Sequence, residues 1–402
     1  MKKEDKPLGL YIHIPFCKSK CAYCDFYSLP NAEKQMNRYT AALRAHLAET
    51  APCAAAYLAD TVYFGGGTPS YLGVRRLKKL LKTVRKRYRL SPGAEITLEA
   101  NPESLGDWRK VRALRKAGFN RISLGVQSAN DQELRELGRP HTFAQAVDAV
   151  GAVRRAGIGN LSLDLIYGLP NQTLALWQRT LNHAAALEPE HISCYGLKIE
   201  EGTPLWKRQA TLDLPDDDAQ ADMYLWTVER LAQLGYEQYE ISNFARPGFA
   251  SRHNMKYWML HEYAGFGPGA HSDLGDVRYA FVRDLDAYCR GVRSGGNILS
   301  ESESIPPRER DVEYLMLGLR TAAGIERREF ENRFRLSFDP IQAVMETFCG
   351  SGHAVQAGER WRLTPVGFLV SNQIIGQALD ALANEKLRRM QAVASGDFRI
   401  LK

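Results

Sequence analysis

Short apolar runs alternate with amphipathic stretches along residues 9–234 of this chain. The runs are rich in β-branched side chains and end in Gly, Pro or polar residues, which is typical of buried strands. They predict strands at Gly9–Phe16, Thr61–Phe64, Glu95–Leu98, Arg121–Val126, Leu161–Ile166 and His191–Leu197. Helical spacing between them predicts helices at Asn31–Thr50 (with Asn31 as N-cap), Arg75–Arg89, Ser104–Ala117, Asp131–Leu137, Phe143–Ala156, Leu174–Leu187 and Asp217–Leu234.

This alternation predicts an α/β fold with a parallel sheet, because strands that are apolar on both faces require helices to cover them. No Gly-x-Gly-x-x-Gly turn follows a strand, so the repeat favours a partial (β/α)6 barrel over a dinucleotide-binding sheet. Such barrels build their sites at the carboxyl ends of the strands. The polar or glycine residues at or near those ends are Cys17, Gly66, Glu99, Gln127, Asp164 and Gly196.

The pattern after residue 234 is less regular. After Gly235–Asn243, the segment Ala250–Ser272 is rich in aromatic residues, Gly and His and indicates a functional loop, whereas Ser294–Pro307 indicates a linker. Helices at Glu309–Thr321, Pro340–Phe348 and Thr364–Leu382 and a hairpin at Ala354–Leu363 are predicted beyond it. We therefore expect two domains, a barrel over residues 1–293 and a small, mainly helical, winged-helix-like domain over 308–402.

Three cysteines, Cys17, Cys21 and Cys24, form a C-x3-C-x2-C motif directly after the first strand. Thiolates are soft ligands that suit zinc, copper(I) and iron–sulfur clusters. A cubane with only three Cys would keep one iron open to a substrate or cofactor, and we carry this interpretation forward. A zinc site completed by a distant His, or purely structural cysteines, remain alternatives. Lys18 and Lys20 are expected to lower the pKa of the thiols.

Composition and charge limit the class of protein. Seven Cys among 402 residues, with no secretory leader at Met1–Leu8, favour a reducing cytoplasm, and no apolar run is long enough to span a bilayer. The net charge is +7, and its densest source is Arg75–Arg89, with nine Lys or Arg. Apolar residues recur at helical spacing there, so we interpret it as a solvated helix face rather than a nucleic-acid surface.

The cysteine motif, Gly65-Gly66-Gly67-Thr68-Pro69 and the run Asp164–Pro170 together resemble the radical S-adenosylmethionine (SAM) superfamily. Within it, nearly the whole chain is similar to the family of oxygen-independent coproporphyrinogen III oxidase and its relatives. The resemblance implies that the three Cys hold a 4Fe–4S cluster whose fourth iron binds SAM. The glycines would let backbone amides approach the methionine part of SAM. The implied SAM contacts are Tyr11, Gly66, Gly67, Thr68, Glu99, Gln127, Arg139 and Asp164.

Two features depart from the oxidase. Phe26 stands where the oxidase carries a fourth Cys, and His253-Asn254-x-x-Tyr257-Trp258 resembles a branch that binds haem and delivers it to acceptors such as membrane cytochromes. That resemblance implies haem binding near this motif. An imidazole suits haem iron and aromatic rings stack on a macrocycle, but the same side chains would equally pack under the barrel mouth. His271 is the second candidate ligand.

We therefore expect a haem chaperone on a radical SAM scaffold that binds a 4Fe–4S cluster, SAM and haem, rather than an authentic oxidase. The alternative function is the radical SAM decarboxylation of coproporphyrinogen III in haem biosynthesis. A third hypothesis, a nucleic-acid-modifying protein, has weak support because the carboxyl-terminal region is not especially basic.

Overall fold

The computed structural model describes residues 6–395, with side chains to residue 394, so both ends of the predicted two-domain range lie outside the described residues. The chain forms two compact units. Unit 1 comprises residues up to 237, 242–256 and 261–304, and unit 2 comprises 238–241, 257–260 and the residues from 305 onward.

The described strands are short to medium in length. In chain order they are β1 (Lys6–Ile14), β2 (Phe16–Cys17), β3 (Leu29–Pro30), β4 (Tyr57–Gly66), β5 (Leu90–Ala100), β6 (Arg121–Gln127), β7 (Leu161–Tyr167), β8 (His191–Gly196), β9 (Glu237–Glu240), β10 (Asn243–Ala245), β11 (Tyr263–Phe266), β12 (His271–Leu274), β13 (Val277–Phe281), β14 (Leu299–Ser304), β15 (Ile325–Glu326), β16 (Ala354–Ala357) and β17 (Arg360–Leu363).

The described α-helices follow the same order. They are α1 (Met36–Glu49), α2 (Val74–Arg87), α3 (Pro102–Leu105), α4 (Trp108–Ala117), α5 (Asp131–Glu136), α6 (Phe143–Arg155), α7 (Leu174–Ala185), α8 (Pro204–Lys207), α9 (Asp217–Gln233), α10 (Arg252–Trp258), α11 (Leu285–Ser294), α12 (Asp311–Gly318), α13 (Arg327–Phe334), α14 (Asp339–Gly350), α15 (Pro365–Leu369) and α16 (Ser371–Ser395). No helix in this part of the chain is long and apolar enough to cross a bilayer.

Six parallel strands, in the order β1-β4-β5-β6-β7-β8, form the centre of unit 1. Their apolar residues are in register, as in the row that pairs Ile12 with Phe64 and Phe64 with Leu98. These side chains are fully buried beneath the helices, which explains the continuous apolar runs of the sequence. The prediction of an α/β fold built on a six-stranded parallel barrel is confirmed.

Two predictions about the segments after the barrel are wrong. The segment Ala250–Ser272 is not only a loop, because β11 pairs in parallel with β1 and buries Ala264 and Phe266 in the core. The predicted linker contains β14, which pairs antiparallel with β13 as a continuation of the sheet. Every residue of β14 is exposed, so it lacks the apolar alternation that identifies a strand in a sequence.

Two of the predicted helices differ from the structure at their amino-terminal parts. Asn31 has a left-handed φ of 54° and does not cap a helix, because a 3₁₀ turn at Glu33–Gln35 precedes α1. The helix predicted at Ser104–Ala117 is two helices, α3 and α4, and Gly118 closes the second with φ 116°. In α2 the apolar residues are buried and most of the Lys and Arg are exposed, as expected for an amphipathic helix.

Unit 2 is mainly helical and contains a small three-stranded sheet in the order β15-β17-β16. The predicted hairpin at Ala354–Leu363 corresponds to β16 and β17, which pair antiparallel. The sequence analysis missed α13, whose aromatic residues Phe330 and Phe334 pack against each other with ring centroids 5.1 Å apart.

Candidate functional site

A cavity of about 550 Å³ in unit 1 extends to the carboxyl ends of the barrel strands. All six strand-end residues named from the sequence line it, from Cys17 at the end of β2 to Gly196 at the end of β8. Other predicted site residues that line it are Cys21, Cys24, Gly67, Thr68 and Arg139. The predicted residues outside its lining are Tyr11, His253, Tyr257 and Trp258.

A chain of hydrogen bonds connects two of the three cysteine sulfurs. Thr68 Oγ1 lies 3.4 Å from Cys17 Sγ and accepts a hydrogen bond from Asn101 Nδ2 at 3.2 Å. Arg139 Nη2 donates to Asn101 Oδ1 at 2.7 Å, and Arg139 Nη1 donates to Cys21 Sγ at 3.3 Å. Donors of this kind stabilise thiolates and orient them as ligands. The family resemblance implies a SAM contact for Arg139, and its hydrogen bonds to Asn101 and Cys21 were not predicted.

The cysteine loop fits a cluster by its donor set. Among the residues that the structure describes, no three His, Cys, Asp or Glu side chains converge on one metal-ion position. Each Cys of a cubane binds a different iron, so a cluster does not require the three sulfurs to share one centre. The three thiols are free of disulfides and line the same cavity, which is what a cluster with one open iron needs.

Burial dominates the electrostatics of this loop. It raises the pKa of the Cys17 and Cys24 thiols above the ordinary value. Lys20 lowers the pKa of Cys24, but by less than burial raises it. Lys20 therefore acts on Cys24 in the predicted direction, but the pKa of both thiols ends above the ordinary value, since desolvation outweighs an exposed ammonium group. Binding of a metal group must then release protons from them.

The glycine-rich turn after β4 packs directly against the cysteine loop. A Cβ on Gly67 would lie 2.8 Å from Phe16 O, 2.9 Å from Ile14 O and 3.0 Å from Cys17 Sγ. The amide of Gly67 donates to Ile14 O at 2.9 Å, and that of Thr68 donates to Phe16 O at 2.7 Å. The amides are thus bonded within the protein rather than directed at the cavity. Glycine is required here by close approach of the two segments.

Two half-buried carboxyl groups, Glu99 on β5 and Asp164 on β7, line the cavity. Glu99 accepts hydrogen bonds from the Tyr63 hydroxyl at 2.8 Å and from the Gly66 amide at 3.1 Å. Burial raises the pKa of Glu99 to about 7. Asp164 accepts hydrogen bonds from Ser123 and Ser193 at distances of 2.9–3.1 Å.

Asp164 is also bonded to Ser162 at 3.1 Å, so three hydroxyl groups surround one carboxylate. Burial raises the pKa of Asp164, and the serines and Arg121 oppose that increase. Gln127 lies at the rim with a left-handed φ of 66°, a conformation that is found at functional sites more often than elsewhere. These side chains can accept hydrogen bonds from a ligand's hydroxyl groups and balance a cationic ligand.

Tyr11 lies beside the cavity rather than in its lining. Its hydroxyl is 3.1 Å from His13 Nδ1, and its ring stacks on Tyr63, with centroids 6.3 Å apart. Tyr63 in turn lines the cavity and bonds to Glu99. Tyr11 therefore supports a cavity residue instead of contacting the cavity itself.

His253 packs inside the barrel. Its ring is 1% exposed, its Nδ1 is 2.8 Å from Thr61 Oγ1, and it stacks on Tyr63 with centroids 5.0 Å apart. Burial lowers the pKa of His253 to about 3. The sequence left a haem ligand and a packed side chain equally open, and this geometry favours the packed side chain. The adjacent Asn254, by contrast, lines the cavity.

The remaining haem candidates lie in different surroundings. Tyr257 and Trp258 belong to unit 2 and are half-buried. His271 is on β12, with its side chain 57% exposed and its Nδ1 3.7 Å from Glu301. An exposed pair of this kind contributes little stability.

Sequence reasoning missed Arg121, a cavity-lining cation that is 1% exposed and whose Nε has no partner among the described residues. The sequence pattern could have indicated Arg121. Arg121, Ser123 and Gln127 are separated by two and four residues, so they lie on one face of β6. Phe26, Tyr195 and Lys198 also line the cavity and were not predicted to do so. They belong to irregular segments or strand ends, where periodicity gives no information.

Comparison with known sequences and structures identifies the wider group. A model of the radical SAM superfamily matches residues 11–184, and one of the HemN C-terminal domain matches residues 305–370. The solved structure of coproporphyrinogen III oxidase (HemN) from Escherichia coli, described as a radical SAM enzyme, is similar with a TM-score of 0.82 and 25% identity. The match covers 93% of this chain and 90% of that one.

Curated relatives are similar over almost their full length. Haem chaperone HemW from Lactococcus lactis is 34% identical, with 93% of this chain and 98% of the relative covered. HemW from Bacillus subtilis is 34% identical, with 92% and 99% covered. HemW from E. coli is 36% identical, with 92% and 97% covered. This chain therefore belongs to the HemW family of the radical SAM superfamily.

Proposed function

We propose that this protein is a haem chaperone on a radical SAM scaffold, which binds a 4Fe–4S cluster, SAM and haem and delivers haem to acceptor proteins in the cytoplasm or at its membrane. The observation that carries the proposal is near full-length similarity to relatives named haem chaperone. The cavity supports the cofactor part of the proposal, because thiols, half-buried carboxyl groups and a buried cation line it.

Cys17, Cys21 and Cys24 would hold the cluster. A cubane held by three thiolates supplies an iron with an open position for a further ligand and a centre for single-electron transfer. The chain's own contribution is to orient the sulfurs of Cys17 and Cys21 through Thr68, Asn101 and Arg139.

SAM would occupy the cavity above the barrel core. A volume of about 550 Å³ lies within the range of ~300–1,000 Å³ that small-molecule sites have. Glu99, Gln127 and Asp164 would bind its hydroxyl groups and balance its sulfonium charge. Gly66, Gly67 and Thr68 would serve by allowing the turn to approach the cysteine loop, and Tyr11 by supporting Tyr63.

The sequence hypothesis for haem uses His253 as the iron ligand, with Tyr257 and Trp258 beside the macrocycle. For His253 to bind iron, its ring would have to leave Thr61 and Tyr63. That rearrangement removes a buried hydrogen bond and a ring stack, so it carries an energetic cost.

The second candidate is coproporphyrinogen III decarboxylation, which the similarity to HemN favours. Phe26 argues against it, because the oxidase has a cysteine at the equivalent position. Phe26 is 67% exposed in this chain, so its ring is accessible to a ligand.

One experiment separates the two functions. The full-length, cluster-reconstituted protein is titrated with haem and followed by its Soret band, then mixed with a haem-free cytochrome. Separately, it is incubated with coproporphyrinogen III, SAM and a reductant. We expect saturable haem binding and transfer without release of carbon dioxide. Absence of a Soret change would overturn the proposal, and formation of protoporphyrinogen IX would establish the oxidase.

A further inference from the structure

Two exposed aromatic side chains lie among the residues that line the cavity. Phe26, on the cysteine loop, is 67% exposed, and Tyr195, at the end of β8, is 41% exposed. Both line the same cavity as Cys17, Cys21 and Asp164, which are much less exposed. An exposed apolar patch beside a cavity is a common feature of ligand and partner sites.

Positive charges accompany these rings. Lys20 and Lys198 line the same cavity, and both are exposed, Lys198 with 80% of its side chain. Arg283 Nη2 lies 3.4 Å from Asp25 O, next to Phe26 in the chain. Two acidic residues also line the edge: Asp25 and Glu200, of which Glu200 pairs with Lys198 at 2.5 Å.

We propose that Phe26, Tyr195, Lys20 and Lys198, which we call the rim platform, form the haem-binding surface of this protein. This inference rests on the proposed function and gives the haem a position outside the cavity. A porphyrin has a flat apolar face that stacks on aromatic rings and carboxylates that pair with ammonium groups. The rim platform presents both features on one edge.

The depth of the cavity supports a division between two ligands. Its inner residues are small or polar and mostly buried, which suits a compact polar cofactor. Its outer residues are exposed and aromatic, which suits a wide flat molecule that covers the opening. Haem on the rim platform leaves His253 in its stack with Tyr63 and requires no movement of α10.

The test uses the full-length protein and measures the haem dissociation constant by Soret titration. Phe26→Ser combined with Tyr195→Ser should weaken haem binding at least tenfold, which is a loss of ~1.4 kcal/mol. Lys198→Glu should weaken it about two- to fivefold, because exposed ion pairs are weak. Matched controls on other surfaces, Val147→Ser (40% exposed) and Lys82→Glu, should bind haem as the wild type does.

A second probe examines the role of the iron. Metal-free protoporphyrin IX should bind within about threefold of haem, since rings and charges carry the affinity, and its dimethyl ester should bind more weakly. Failure of the metal-free porphyrin to bind would overturn the inference, because binding would then depend on an iron ligand such as His253.

The outcomes distinguish the inference from the proposed function. If the wild type binds haem and the double serine variant binds it equally well, the rim platform is wrong and the proposed function stands. If the wild type does not bind haem, the proposed function fails. If the double variant loses SAM affinity in calorimetry and keeps haem affinity, the rim serves SAM and the inference is overturned.

Discussion

The ring of His253 lies nearly parallel to that of Tyr63, at an angle of 20° with centroids 5.0 Å apart. Tyr63 links His253 to the cavity, because its hydroxyl donates a hydrogen bond to the cavity residue Glu99 at 2.8 Å. The histidine of the His-Asn-x-x-Tyr-Trp motif thus supports a carboxylate of the candidate SAM site. The histidine of a motif that resembles a haem-binding sequence thus has an interior position in this fold.

The first prediction concerns that interior position. His253→Ala should lower the free energy of unfolding by about 2–3 kcal/mol, because it removes a buried hydrogen bond to Thr61 and the stack on Tyr63. Urea denaturation followed by circular dichroism measures this loss. His271→Ala, on an exposed side chain, is the control and should change stability by less than ~0.5 kcal/mol. Equal effects of the two variants would contradict the packed position.

The second prediction concerns pH. Burial raises the pKa of Glu99 to about 7 from the ordinary value of 4.5, so the folded chain retains a proton that the unfolded chain releases between these values. The stability that this group contributes is present below pH ~4.5 and is lost as the pH rises through ~7. The difference corresponds to ~3 kcal/mol at most.

Glu99→Gln removes this titration. We expect the stability difference between pH 5 and pH 8 to be smaller in Glu99→Gln than in the wild type, by up to ~3 kcal/mol, in urea denaturation of the cluster-free protein. The exposed Glu301→Gln should follow the wild type. An identical pH dependence for Glu99→Gln and the wild type would show that the Glu99 carboxyl is not desolvated.

The third prediction concerns the glycine-rich turn. Gly67→Ala places a Cβ within 2.9 Å of two backbone oxygens, so the turn or the cysteine loop must move. We expect a loss of about 2 kcal/mol in unfolding free energy and faster loss of cluster iron to a chelator. Gly93→Ala is the matched control, because a Cβ at that position would meet no atom within 4 Å. A Gly67→Ala protein with wild-type iron retention would refute the close packing of the two segments.

The fold was largely predictable, because short apolar runs that alternate with helical periodicity indicate parallel strands covered by helices. The six strand-end residues were also predictable, since parallel strands bring their carboxyl ends to one edge. The hydrogen bond from Arg139 to Asn101 was not, because residues 38 positions apart meet only through the strand register. The exposed strand β14 and the buried position of His253 depend on tertiary packing, which local pattern does not encode.

The central claim is that three cysteines hold an iron–sulfur cluster in a family of haem chaperones. Iron and acid-labile sulfide are measured per chain after anaerobic reconstitution of the wild type, Cys21→Ser and Cys53→Ser, the last changing an exposed cysteine outside the motif. We predict about four irons and four sulfides in the wild type and Cys53→Ser, and less than about one iron in Cys21→Ser. Zinc in place of iron, or full iron content in Cys21→Ser, would contradict the claim.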